Sequence, residues 1–97
     1  METNELILVE TFCTHHHVEI SFISSLEESG LLEITRKEDV LYIPEVSVKA
    51  VEQFVRLHND LNINLEGIEA ITHLLHQLEQ KETEISQLRN RLRFFDI

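Results

Sequence analysis

Apolar and polar residues alternate along the chain in three regimes. Leu6-Ile7-Leu8-Val9 is a short apolar run that suits either a strand or the start of a first helix. Thr11–His16 follows as a short helix, with Phe12 and His16 four apart, and a turn is expected near His17-Val18. Glu19–Ser29 is expected to be a second helix: Ile20, Ile23 and Leu26 recur at helical spacing, and Gly30 stands where a left-handed residue can end it. Two short helices joined by a tight turn form a helix-turn-helix.

The period then shortens. Leu31–Ile34 and Val40–Ile43 are β-prone, and the polar stretch Thr35–Asp39 between them predicts a hairpin, a wing on the helix-turn-helix. Pro44 is expected to stop the second strand. Ser47 can cap a third helix whose broad apolar stripe is Val48, Val51, Phe54, Val55, Leu57 and Leu61. Asn64 can cap a fourth, with Glu66 in the first turn where the helix dipole favours an acid. No proline interrupts residues 65–94, a helix of roughly 45 Å at about 1.5 Å per residue. The expected fold is mainly α with a small β-hairpin wing: a winged helix-turn-helix head over residues 1–63 and a long dimerisation helix over 64–97, joined in one structural unit.

Heptad spacing in the last helix supports self-pairing. Ile71, Leu74, Leu78, Lys81, Ile85, Leu88, Leu92 and Phe95 alternate in steps of three and four, a coiled-coil seam broken once, by Lys81. The alternative is an amphipathic helix folded back on its own head, but the seam is longer than a head of this size can cover. Acids lie before the seam's midpoint and bases after it. An antiparallel pair centred between Ile85 and Leu88 sets Leu78 against Phe95, Glu82 against Arg89 and Glu84 against Arg91. A parallel pair matches Glu84 with Arg89 but leaves Glu82 and Arg91 without comparable partners. Exposed ion pairs contribute about 0.2–1 kcal/mol each, so they select the direction while the apolar seam supplies affinity.

Composition narrows the function. The 97 residues hold two glycines and one proline, so elements are long and a phosphate-cradling loop is excluded. A head of about 60 residues buries only around 60% of its unfolded surface, which makes a partner subunit valuable. The lone Cys13 cannot form an internal disulfide, no apolar stretch approaches a membrane span, and the N-terminus lacks the pattern of a signal peptide, so a cytoplasmic protein is expected. Net charge is −10, unevenly spread: residues 1–46 carry ten acids against Arg36 and Lys37, a net of −8, and the remainder eight acids against six bases, a net of −2.

No catalytic motif is present, and paired acids such as Glu27-Glu28 and Glu38-Asp39 suit a solvated face, so an enzyme is not expected. Cys13, His15, His16 and His17 could in principle hold a borderline metal, making a metal sensor one rival reading. The adjacent histidines point to different faces, however, and a buried Cys13 beside surface histidines accounts for the cluster; neither metal nor cofactor is expected. A DNA-reading second helix would carry bases for phosphates and polar residues for base edges. Here residues 19–29 hold no base, which argues against nucleic acid and for a basic protein partner.

In its order of helix-turn-helix, wing, third helix and long antiparallel helix, the chain resembles the MerR-like regulators, and within them the chaperone-modulator family CbpM. The resemblance covers nearly the whole length. Phe12-Cys13, the run Arg56-Leu57-His58-Asn59-Asp60-Leu61 with the following Gly67-Ile68, and Leu88 to Phe94 carry it. The chain departs at residues 65–66, Leu-Glu, where the better-known members are expected to have Trp-Pro. The resemblance implies a homodimeric adaptor that binds the J-domain of a DnaJ-like co-chaperone (CbpA) and keeps it from its Hsp70 partner, DnaK. J-domains of that kind offer a basic helix, so Glu19, Glu27, Glu28 and Glu33 are the charge-based candidates for the partner surface. The rival from another class is a MerR-like DNA-binding transcription regulator.

Overall fold

The computed structural model describes residues 5–95; Glu2, counted among the acids of the head, and the outer ends of segments 1–63 and 64–97 lie outside that range. Strand β1 (Leu6–Leu8) runs directly into helix α1 (Val9–His16), and α2 (Ile20–Glu28) follows. Strands β2 (Thr35–Lys37) and β3 (Val40–Pro44), a 3-10 turn (Glu45–Ser47), α3 (Val48–Leu61) and α4 (Leu65–Phe95) complete the chain. The architecture is mainly helical with a small antiparallel sheet and a long last helix, a winged helix-turn-helix. The apolar run at Leu6–Val9 serves both expected roles: three residues of strand, then the first residue of α1. Helix α1 therefore starts before Thr11, because Val9 is already committed to the core.

Two left-handed residues make the turns of the helix-turn-helix. His17 (φ 55°) ends α1, and the N–H of Val18 returns to the Cys13 carbonyl at 3.0 Å. Gly30 (φ 84°) ends α2, where the N–H groups of Gly30 and Leu31 close on the carbonyls of Glu27 and Leu26. These paired bonds satisfy carbonyls that a helix end otherwise leaves without partners. The side-chain amide of Asn59, on α3, donates to the His17 carbonyl at 3.3 Å and so joins α3 to the same turn.

The wing differs from expectation in two ways. Its first strand is Thr35–Lys37 rather than Leu31–Ile34, and β1 adds a third strand, giving the order β1-β3-β2. Leu31–Ile34 is apolar because it fills space: Leu32 is buried, and Leu31 and Ile34 pack against the core, without strand pairing. Glu38 and Asp39 both have positive φ (49° and 65°), the condition of a tight two-residue hairpin turn. That turn sets Lys37 opposite Val40 and converts the polar stretch into a strand.

The core gathers one layer from each part of the chain. Ile23 and Leu26 of α2, Ile43 of β3, Val51 of α3 and Ile68 of α4 are fully buried together. Ser47 makes no side-chain cap bond, because the 3-10 turn already leads the backbone into α3 in helical geometry. Leu61, expected in the stripe of α3, is 64% exposed, since it lies in the last turn, beyond the core. Asn64 does cap α4: its Oδ1 accepts the Gly67 N–H at 2.8 Å. A Cβ at Gly67 would stand 2.6 Å from Cγ2 of Ile63, so the absent side chain lets α4 approach the preceding loop. From His73 onward every described residue of α4 is exposed, and the helix does not fold back on the head.

Two substitutions grade this junction. Asn64→Ala should cost about 1 kcal/mol, the usual loss of a cap. Ile68→Ala should cost about 2–5 kcal/mol, the loss of a buried branched aliphatic side chain. Urea unfolding followed by circular dichroism measures both, and equal effects would contradict the central position of Ile68.

Candidate interaction surfaces

The acidic head is organised around α2. Glu27, Glu28 and Glu33 lie at its C-terminal end and in the following loop, while Glu19 precedes its first turn, roughly 12 Å away at about 1.5 Å per residue. Three of the candidates thus share one end of α2, and Glu19 stands apart at the other. Glu28, Glu33 and Glu19 are exposed. Glu27 is engaged: both of its carboxylate oxygens accept from the guanidinium of Arg36, at 2.7 and 2.9 Å. This two-pronged geometry is the strong form of a carboxylate–arginine pair. It crosses from α2 to β2 and leaves Lys37 as the uncommitted base of the wing.

The second surface is the seam of α4. Leu74, Leu78, Ile85, Leu88, Leu92 and Phe95 are all exposed, from 47% at Ile85 to 81% at Phe95. So many large apolar side chains along one helix in water form a surface that calls for cover. Among the described residues Glu82, Arg89 and Arg91 make no ion pair beside the seam, whereas Glu84 meets Lys81 of its own helix at 3.4 Å.

The family model of MerR HTH family regulatory proteins matches residues 7–90, from β1 almost to the end of α4. The chain belongs to the MerR helix-turn-helix family. No curated protein and no solved structure matches it.

For a MerR-family head, its charge is what needs explaining. Helix α2, the second of the helix-turn-helix, carries serines and carboxylates but no base, with Ser21 and Glu28 exposed, and Arg36 is drawn to Glu27. The hydrogen bond from Arg36 holds the Glu27 carboxyl below its ordinary range, its charge and the Ile34 N–H assisting, against a smaller opposing cost of desolvation.

The Cys-His cluster is drawn apart. Cys13 is buried, and that burial pushes its thiol pKa up, which makes it a poor nucleophile or ligand. His16 stacks on Phe12 at 4.2 Å and meets Glu52 of α3 at 3.5 Å, while His15 and His17 are exposed. Among the described residues no group of three or more His, Cys, Asp or Glu could hold a metal ion, and no helix is long and apolar enough to cross a membrane.

Besides the His16–Glu52 contact, sequence reasoning missed three more. One is the Glu27–Arg36 pair. Another is the stack of Phe22 on His58 (4.4 Å), with His58 Nδ1 at 3.2 Å from the Ile63 carbonyl. The third is Asn59 on the α1 turn. His58 and Asn59 belong to the run that carried the family resemblance, and here they join α3 to the α1 turn, to α2 and to the loop before α4.

The Glu27 carboxyl should titrate below the ordinary value of about 4.5. Because folding lowers this pKa, the pair contributes fully above the ordinary value and is lost as pH falls through the lowered one. Carbon-detected NMR of the Glu27 carboxyl checks this. Arg36→Ala should bring the midpoint back up, and an unchanged midpoint would mean the pair does not form in solution.

Proposed function

We propose that this chain is a dimeric co-chaperone modulator that binds the J-domain of a DnaJ- or CbpA-like protein and prevents it from stimulating Hsp70 (DnaK). The observation that carries the reading is the Glu27–Arg36 pair. The helix in the position of a DNA reader has no base, and it neutralises the wing arginine that could otherwise meet phosphate. A duplex is bound largely by displacing its counterions with Lys and Arg, and this surface offers Lys37 alone. A basic helix on a protein partner is its electrostatic complement. The CbpM resemblance supplies the identity of that partner. On this reading the protein acts in the cytoplasm, without catalysis, metal or cofactor.

Added to a J-domain and Hsp70, the protein should suppress J-domain-stimulated ATP hydrolysis while leaving the basal rate unchanged. Raising the salt from 50 to 300 mM should weaken the suppression. Stimulated turnover that persists at saturating adaptor would refute the proposal.

The exposed seam supports pairing through α4, antiparallel about Ile85 and Leu88, with Glu82 against Arg89 and Glu84 against Arg91 of the second copy. Glu84 would exchange its contact with Lys81 for the partner arginine. Sedimentation should show a dimer for the wild type and a monomer for Ile85→Asp with Leu88→Asp. A monomeric wild type at tens of micromolar would refute the pairing.

The family match favours a second reading, a MerR-like DNA-binding transcription regulator, in which another subunit or protein adds the basic surface missing from this head. Sequence-specific gel retardation at physiological salt and submicromolar protein would favour it over the modulator.

A further inference from the structure

The outer face of the wing sheet has an unusual composition. Side chains alternate between the two faces of a sheet, and residues directly opposite in register share a face. Ile43 is fully buried, and Ile7 and Leu41 pack with it against the core, so these positions define the inner face. The outer face is then set by the register Leu6–Pro44, Leu8–Tyr42, Thr35–Tyr42 and Lys37–Val40, with Thr35 and Lys37 its polar members. None of Leu6, Leu8, Val40, Tyr42 and Pro44 belongs to the core cluster. A sheet with one solvated face ordinarily makes that face polar. This one is largely apolar.

Two shallow clefts lie at its ends. One, of about 310 Å³, includes Leu6 and Pro44 and is rimmed by Glu5, Glu45 and Lys37. The other, of about 230 Å³, lies at the Val40 edge of the sheet, where outer-face Leu8 and Val40 meet Val9, Ile20 and inner-face Leu41, and is rimmed by Glu10 and Asp39. Leu8, Ile20 and Val40 are each 39–45% exposed. The apolar face is therefore bracketed by four carboxylates against one ammonium group. At about 3.3 Å per residue, the five residues of β3 span roughly 17 Å, the length of about 11 residues of helix.

We infer that the outer face of the β1-β3-β2 sheet, with its acidic ends, is a docking surface for a basic amphipathic helix of two to three turns. The apolar stripe of that helix lies over Leu8, Val40 and Tyr42, and its flanking lysines or arginines reach the Glu5–Glu45 end and the Glu10–Asp39 end. The inference rests on the proposed basic-helix partner and places its contact on the sheet. Glu27, Glu28 and Glu33 are then left to long-range attraction.

The test titrates isotope-labelled full-length protein with a synthetic Leu/Lys amphipathic peptide of about 12 residues, followed by amide NMR. Shifts should concentrate at Leu6, Leu8, Val40 and Tyr42, and a Leu/Glu peptide of the same pattern should not bind. Leu8→Lys with Val40→Lys should weaken binding at least tenfold, while Glu28→Lys with Glu33→Lys should change it less than threefold. If the first pair disturbs folding by circular dichroism, Glu10→Lys with Glu45→Lys, both at exposed positions, should weaken binding at least threefold.

Shifts centred on α2 or on the α4 seam would overturn the inference, as would undiminished affinity in whichever sheet-directed variant folds. So would a fall from dimer to monomer in the Leu8→Lys, Val40→Lys protein, which would make this face a contact between two copies. The partner reading fails separately. A J-domain bound equally well by the sheet variant sinks the docking site and leaves the modulator; peptide on the sheet with no J-domain binding does the reverse.

Discussion

Five aliphatic side chains, Ile23, Leu26, Ile43, Val51 and Ile68, meet in one fully buried cluster, and the geometry of everything else follows from that meeting. A head this small has room for one core. Four elements contribute to it: α2 two residues, and β3, α3 and α4 one each. Because Ile68 is the one buried residue of α4, it fixes where the long helix leaves the head. The Asn64 cap and the bare Cα of Gly67 serve the same junction by letting the first turn of α4 approach the preceding loop. The wing is held likewise: Ile43 anchors β3, and β1 and β2 are its neighbours on either side.

Once that core is formed, the polar residues that remain outside decide what the head can meet. Arg36 and Glu27 are nine residues apart in sequence and face each other because Gly30 turns the chain out of α2 and Leu32 pins the following loop. Their pairing has a local effect, joining the wing to α2, and an electrostatic one, neutralising one of the two bases of the wing. Such an exposed pair adds little to stability. Its consequence for charge is the larger one.

What could be read from the sequence alone was the part dictated by period. Helices α2, α3 and α4 stand close to where their 3.6-residue spacing puts them, and Gly30 and Asn64 end and begin helices as their chemistry predicts. The wing was legible only as a hairpin of uncertain register. Its turn is Glu38-Asp39 rather than the Asn-Gly that usually announces a two-residue turn, and β2 is three residues of polar edge strand with no alternation to detect. The apolar run Leu31–Ile34 looked like a strand because burial, not pairing, selects its residues. Contacts across folded distance, Glu27–Arg36, His16–Glu52 and Asn59 on the α1 turn, carry no local signal at all. For the acidic candidates the consequence is direct: charge could be counted from sequence, but which carboxylate was already taken could not.

The two surfaces left exposed, the seam of α4 and the outer face of the wing, differ in a way that matters for their use. The seam is long and regular, with acids before its centre and bases after it, so its charge pattern is self-complementary when reversed, as the proposed pairing with a second copy requires. The sheet face is short and bracketed by acids at both ends, so a second copy would meet it with like charge. An antiparallel pair about Ile85 and Leu88 sets each Leu65 roughly 30 Å from the centre, at about 1.5 Å per residue, and so sends the two heads to opposite ends. In that proposed arrangement both wings stay accessible. If both proposals hold, self-association and partner binding coexist in one small chain, because the charge pattern suits each apolar surface to a different occupant.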